Sequence, residues 1–230
     1  MREEFLRFAR LPAVLYGGEA PGVWLCLHGK NGCKEESAAF AEVVCPKGWQ
    51  VLAVDLPEHG ARRAESGFDP WHAVPELRAL LSAIRRRWDR AALRAVSLGA
   101  YFSLLAFRGE RLDKALFVSP VVDMEALILE MMGWAGVREE ELRRAGELPT
   151  DFGETLSWRY LQYARAHPPA GWETPTEILY AGGDHLVRRE AVEDFARRFA
   201  CGLTVMEAGE HWFHTPEQLA VLRAWEASRT

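Results

Sequence analysis

The chain has 230 residues, 49% hydrophobic and 27% charged, which is enough apolar material for a packed core and excludes disorder as its main state. Its 28 lysines and arginines stand against 33 acids, a net charge of −5, and that balance argues against nucleic acid, whose binding needs a positive face turned to phosphates. No apolar run approaches the roughly 20 residues of a membrane span, and charges interrupt the N-terminus where a secretory signal would be apolar. A single domain and a cytoplasmic address are the resulting expectations. The four cysteines, Cys26, Cys33, Cys45 and Cys201, are far apart and form no C-x-x-C pair. They read as reduced thiols rather than as a disulfide frame or zinc site.

Taken in chain order, Phe5–Phe8 and Val14–Tyr16 suit edge strands. Val23–Leu27 is a short continuous apolar run, as a strand buried on both faces should be. Gln50–Val54, Leu93–Val96, Lys114–Val118, Thr176–Ala181 and Leu203–Met206 follow the same style. Helical spacing fills the intervals at Ser37–Val44, Pro70–Trp88, Leu98–Phe107, Arg188–Phe199 and Pro216–Ala227. Strands alternating with helices imply crossover units: an α/β fold with a mostly parallel sheet and helices on both faces.

One interval, residues 123–172, departs from this rhythm and reads as a helical insertion without strands. Met124, Leu127, Ile128, Met131, Met132 and Ala135 recur at the spacing of one apolar helix face. Glu139–Ala145 has acids first and arginines last, which suits the helix dipole. Phe152–Ala166 is the third expected helix, ended by His167-Pro168-Pro169. Parallel sheets bind ligands at the carboxyl ends of their strands, so an insertion leaving that edge would cover a site as a small lid.

Chemistry concentrates at strand ends. Leu93–Val96 runs into a helix through Ser97, with Ala95 and Gly99 two positions to either side; a nucleophile on a tight strand-to-helix turn needs such small neighbours. The first station is usually glycine, and alanine keeps the side chain small. Alone, the motif is weak, and a helix N-cap is the commoner fate of a serine in the place of Ser97. Three further segments follow strands: His28-Gly29-Lys30-Asn31-Gly32, Gly182-Gly183-Asp184, and Glu210-His211-Trp212-Phe213-His214.

Together these residues resemble the serine α/β-hydrolases across nearly the whole chain, in the order serine, acid, histidine. The resemblance implies Ser97 as nucleophile, His211 as base and Asp184 as the acid that orients it. It implies an oxyanion hole from the amides of Leu98 and Lys30. Asp123 is the rival acid, one strand earlier, with helix capping as its other role. His214 is the rival base, with a part in starting the next helix as its other role. His185 reads as a turn residue and His59, in Asp55-Leu56-Pro57-Glu58-His59-Gly60, as structural. The His-x-x-His pair lacks a third ligand for zinc, and no phosphate-cradling glycine loop is present, so neither metal nor cofactor is expected.

For the substrate pocket, His28 and Gly29 on the first loop, Met131, Met132, Trp134 and Trp158 on the insertion, and Trp212 beside the histidine are the candidates. Their apolar character suits an acyl or aromatic group, while packing of the insertion or a homodimer contact is the other reading. The expected activity is hydrolysis of a small-molecule carboxylic ester through an acyl-enzyme. A thioesterase, a small peptidase or amidase, and a non-catalytic ligand binder on the same fold are the alternatives.

Overall fold

The structure, a computed structural model, describes residues 1–230. Ten strands form: β1 (Glu3–Phe8), β2 (Leu11–Tyr16), β3 (Gly22–Leu27), β4 (Trp49–Val54), β5 (Arg90–Val96), β6 (Ala115–Val118), β7 (Glu147–Pro149), β8 (Thr155–Ser157), β9 (Thr176–Ala181) and β10 (Gly202–Met206). Eight helices accompany them: α1 (Ala38–Val44), α2 (Pro70–Arg87), α3 (Leu98–Ala106), α4 (Met124–Trp134), α5 (Glu139–Ala145), α6 (Trp158–Ala166), α7 (Arg189–Arg198) and α8 (Pro216–Arg229). No helix is long and apolar enough to cross a membrane.

Eight strands make one sheet in the order β1-β2-β4-β3-β5-β6-β9-β10. Only β1–β2 and β2–β4 pair antiparallel; every pairing from β4 to β10 is parallel. The parallel strands β3 and β6 are buried along their whole length, because crossover helices cover both faces. Alternation along β3 sends Val23, Leu25 and Leu27 into one core and Trp24 and Cys26 into the other. The two cores are unequal. The α2/α3/α7 face, joined by the segment between β6 and β9, packs 44 buried residues, whereas the α1/α8 face packs 16. The second face is therefore covered by a much thinner layer.

Helix ends follow local chemistry. Asp69 caps α2 ahead of Pro70 at its first position, and three arginines close its last turn. Thr215 followed by Pro216 starts α8 in the same way, with the Thr215 hydroxyl accepting from the Gln218 amide.

The segment between β6 and β9 contains α4, α5, α6 and a two-stranded antiparallel hairpin, β7–β8. The hairpin corrects the expectation that this interval has no strand, and α6 starts at Trp158 rather than Phe152. Gly153 takes φ +84° at the hairpin turn, a left-handed conformation that breaks helical continuity. The Ser157 hydroxyl then accepts from the Tyr160 amide as the helix cap. This segment is anchored by Met132, Leu142, Leu156 and Leu161, all buried in the larger core.

Candidate active site

The elbow after β5 sets the site. Ser97 sits at φ 49° and ψ −117°, a backbone state costing about 1–3 kcal/mol for a residue with a side chain. The turn is fixed from both sides: the Ser97 amide donates to the Val118 carbonyl at 3.1 Å, and the Val121 amide donates to the Ser97 carbonyl at 3.2 Å. Small neighbours are required for geometric reasons. A Cβ on Gly99 would lie 2.5 Å from the His28 carbonyl oxygen, and one on Gly29 would lie 3.0 Å from the Ser97 Cβ. Ala95 is buried on the preceding strand without a clash of this kind.

Two loops bring the partners. The turn after β9 carries Asp184, whose Oδ1 accepts from the amides of Leu186 and Val187 at 2.8 and 3.0 Å. Its Oδ2 accepts from His211 Nδ1 at 2.6 Å. The imidazole is thereby held with its proton on Nδ1, and Nε2 is left to accept from the Ser97 hydroxyl at 2.8 Å. Both side chains are shielded from solvent. Such a relay can draw a proton from the serine as its oxygen attacks an electrophile.

The rivals take other partners. Asp123 caps α4, its carboxylate accepting from the Ala126 amide at 2.9 Å. His214 points to Glu210 at 3.2 Å, and its amide donates to Gln218 in α8. No group of three His, Cys, Asp or Glu side chains is placed to hold a metal ion.

The loop after β3 approaches the same point. The Lys30 amide lies outside any strand or helix and donates to no protein acceptor; the Leu98 amide is the first of α3, where no carbonyl lies a turn behind it. Beneath them, two histidines hold the loop. His28 donates from Nδ1 to the Gly29 carbonyl at 2.7 Å and accepts at Nε2 from the Leu56 amide at 3.0 Å. His59 donates to the Pro57 carbonyl and accepts from the Asn31 amide, both contacts within 2.8 Å. Burial pushes the pKa of His28 down to about 4, which keeps it neutral and able to accept. The Asp55 carboxylate completes the support; burial alone would raise its pKa, but the Lys34 ammonium and the amides of Ala61 and Lys34 outweigh burial and hold it below the ordinary range.

A cavity of about 1490 Å³ surrounds Ser97 and His211, larger than the ~300–1,000 Å³ of most small-molecule sites. Gly29, Lys30, Met131, Trp134 and Trp212 line it, as the sequence suggests. His28, Met132 and Trp158 do not, which corrects the pocket assignment. The His28 ring is turned away into the support just described. Met132 lies on the α4 face directed into the larger core, while Leu127, Ile128 and Met131 meet the cavity. Trp158, at the first position of α6, packs against that core. The sequence reading misses Phe152, Tyr160, His185 and Arg94 in the lining. The aromatic pair and Arg94 had no local signal, because their contacts are made across elements. His185, read as a turn residue, is exposed at the rim.

Comparison with known proteins bears on the fold. No protein-family profile matches the chain, and no curated protein matches it. Solved structures do. Est1E from Butyrivibrio proteoclasticus superposes with a TM-score of 0.76 at 16% identity over 99% of this chain and 96% of its own. The alpha/beta hydrolase domain-containing protein 10 from mouse gives 0.72 at 16% identity over 100% and 98%. The thioesterase domain from the curacin biosynthetic pathway gives 0.61 at 17% identity over 98% and 99%. The chain has the α/β-hydrolase fold.

Proposed function

We propose that this chain is a serine hydrolase that cleaves carboxylic esters through an acyl-enzyme intermediate. The observation that carries the reading is the unbroken relay from Ser97 through His211 to Asp184, with contacts of 2.8 and 2.6 Å, opening on a large cavity. Ser97 Oγ bonds to the ester carbonyl carbon as its proton passes to His211 Nε2. The same proton then goes to the alcohol oxygen as the carbon–oxygen bond breaks. Asp184 keeps the imidazole in the required tautomer and stabilises its charged form. The amides of Leu98 and Lys30 receive the charge developing on the carbonyl oxygen. Water, deprotonated by His211, then releases the acid and restores Ser97.

The fold relatives favour hydrolysis in general: one is a thioesterase domain, and Est1E has also been solved with bound ferulic acid. Residues 123–172 act as a lid in this reading. The salt bridge between Lys30 and Glu154 at the β7–β8 turn joins the loop beside Ser97 to the insertion.

Intact-mass analysis after a fluorophosphonate probe tests the nucleophile. One adduct on wild type and none on Ser97→Ala is the expected result. An unmodified wild type would overturn the serine-hydrolase reading in favour of a ligand-binding protein. Matched ester, thioester and amide substrates then separate an esterase from a thioesterase or amidase.

A further inference from the structure

The lining of the cavity draws on both faces of the sheet. On one, Leu127, Ile128 and Met131 of α4 line it. On the other, a branch is lined by Ala39 and Phe40 of α1, Leu222 of α8 and the strand residues Val96 and Val118. This part of the lining also carries charge. Arg94, three residues before Ser97 on β5, donates from Nε to Glu226 of α8 at 2.6 Å, with the two side chains only 12% and 4% exposed. The two terminal guanidinium nitrogens donate to no protein acceptor, and neither is sealed away from open space.

We propose that the α1/α8 groove receives the alcohol part of the ester, and that Arg94 hydrogen-bonds an uncharged oxygen at its far end, such as a hydroxyl. This rests on the esterase reading above. The alcohol is assigned to this branch because His211 must return its proton to the leaving oxygen. Trp212 and Phe213, the next two residues, line the cavity, and Phe213 packs into the α1/α8 core. An uncharged oxygen is assigned because the charge of Arg94 is already matched by Glu226, and Glu36 adds a second carboxylate to the wall. Arg223, the other cation of this branch, pairs outward with Glu42 at 2.8 Å. An anionic group would therefore meet two carboxylates around one arginine. Along β5 the three residues from Arg94 to Ser97 span about 10 Å, and a six-carbon chain ending in a hydroxyl is of that length scale.

The test uses 6-hydroxyhexyl butyrate and titration calorimetry on the full-length Ser97→Ala variant, so that binding is read without turnover. Adding Ala39→Trp or Leu222→Trp to fill the groove is expected to weaken binding about tenfold, and hexyl butyrate is expected to bind several-fold more weakly than its hydroxylated counterpart. Unchanged affinity in a filled variant that still melts cooperatively would overturn the groove assignment. Equal affinity for the two esters would overturn the role of Arg94. Turnover of methyl butyrate by the wild-type chain reports separately on the esterase reading, and its absence would leave the binding result to decide the groove.

Discussion

At Ser97 a strained backbone, two small neighbours and one imidazole meet, and each depends on a residue type that could not be exchanged freely. His28 shows the same dependence without taking part in the relay. It is buried between two loops as an acceptor for the Leu56 amide, and its pKa of about 4 lies below the ordinary value of 6.5. Between those pH values the unfolded chain takes up a proton that the folded chain excludes. The stability that depends on this histidine is therefore complete above about pH 6.5 and is lost as pH falls through about 4, with a difference of about 3 kcal/mol between the two limits. His28→Gln keeps an acceptor in place but removes the titration. Urea unfolding of this variant should show a flatter pH dependence between 4 and 6.5 than wild type, and an unchanged slope would remove His28 from this role.

Helix α4 separates two functions by face. Met131 lines the cavity and Met132 lies 4% exposed in the core. Met132→Ala should cost roughly 2–5 kcal/mol of stability, read from the urea midpoint. Met131→Ala should instead weaken turnover of long-chain esters several-fold more than that of acetate esters, with little change in that midpoint. The reverse pattern would exchange their roles. The β7–β8 hairpin is tied to the loop beside Ser97 by one ion pair. Lys30 and Glu154 are each more than a third exposed, so their pairing contributes at most about 1 kcal/mol to stability. Glu154→Gln should leave the melting temperature within a few degrees while raising KM for bulky esters, because the hairpin loses its tie to the loop beside Ser97. An unaltered KM would restrict the pair to a surface contact.

Across the whole molecule, charge is buried in pairs: Lys34 with Asp55, Arg62 with Glu76 of α2, and Arg94 with Glu226 of α8. On the thinner α1/α8 face, Arg94 and Glu226 join the central strand β5 to the last helix and are largely removed from solvent. Removing one partner strands the other, so Glu226→Ala should destabilise the fold by roughly 3–5 kcal/mol. A paired Arg94→Met/Glu226→Met replacement should recover most of that loss in urea unfolding. A single variant as stable as wild type would show that the pair does not clamp α8.

The eight strands of the main sheet, the helices that flank it and the turns carrying Ser97, Asp184 and His211 are legible in the sequence. Apolar runs, helical periodicity and small residues at strand ends are local signals, and crossover chirality leaves few ways to assemble them. Which neighbours share a cavity is set by packing between elements. His28 and Gly29 are adjacent, yet one ring turns into a loop support while the other residue meets the cavity. Met131 and Met132 divide between cavity and core. The β7–β8 hairpin, and the place of Arg94 in the cavity lining, depend on contacts between residues distant in sequence. A side chain's direction is set by what packs against it, and periodicity identifies an apolar face without identifying its partner.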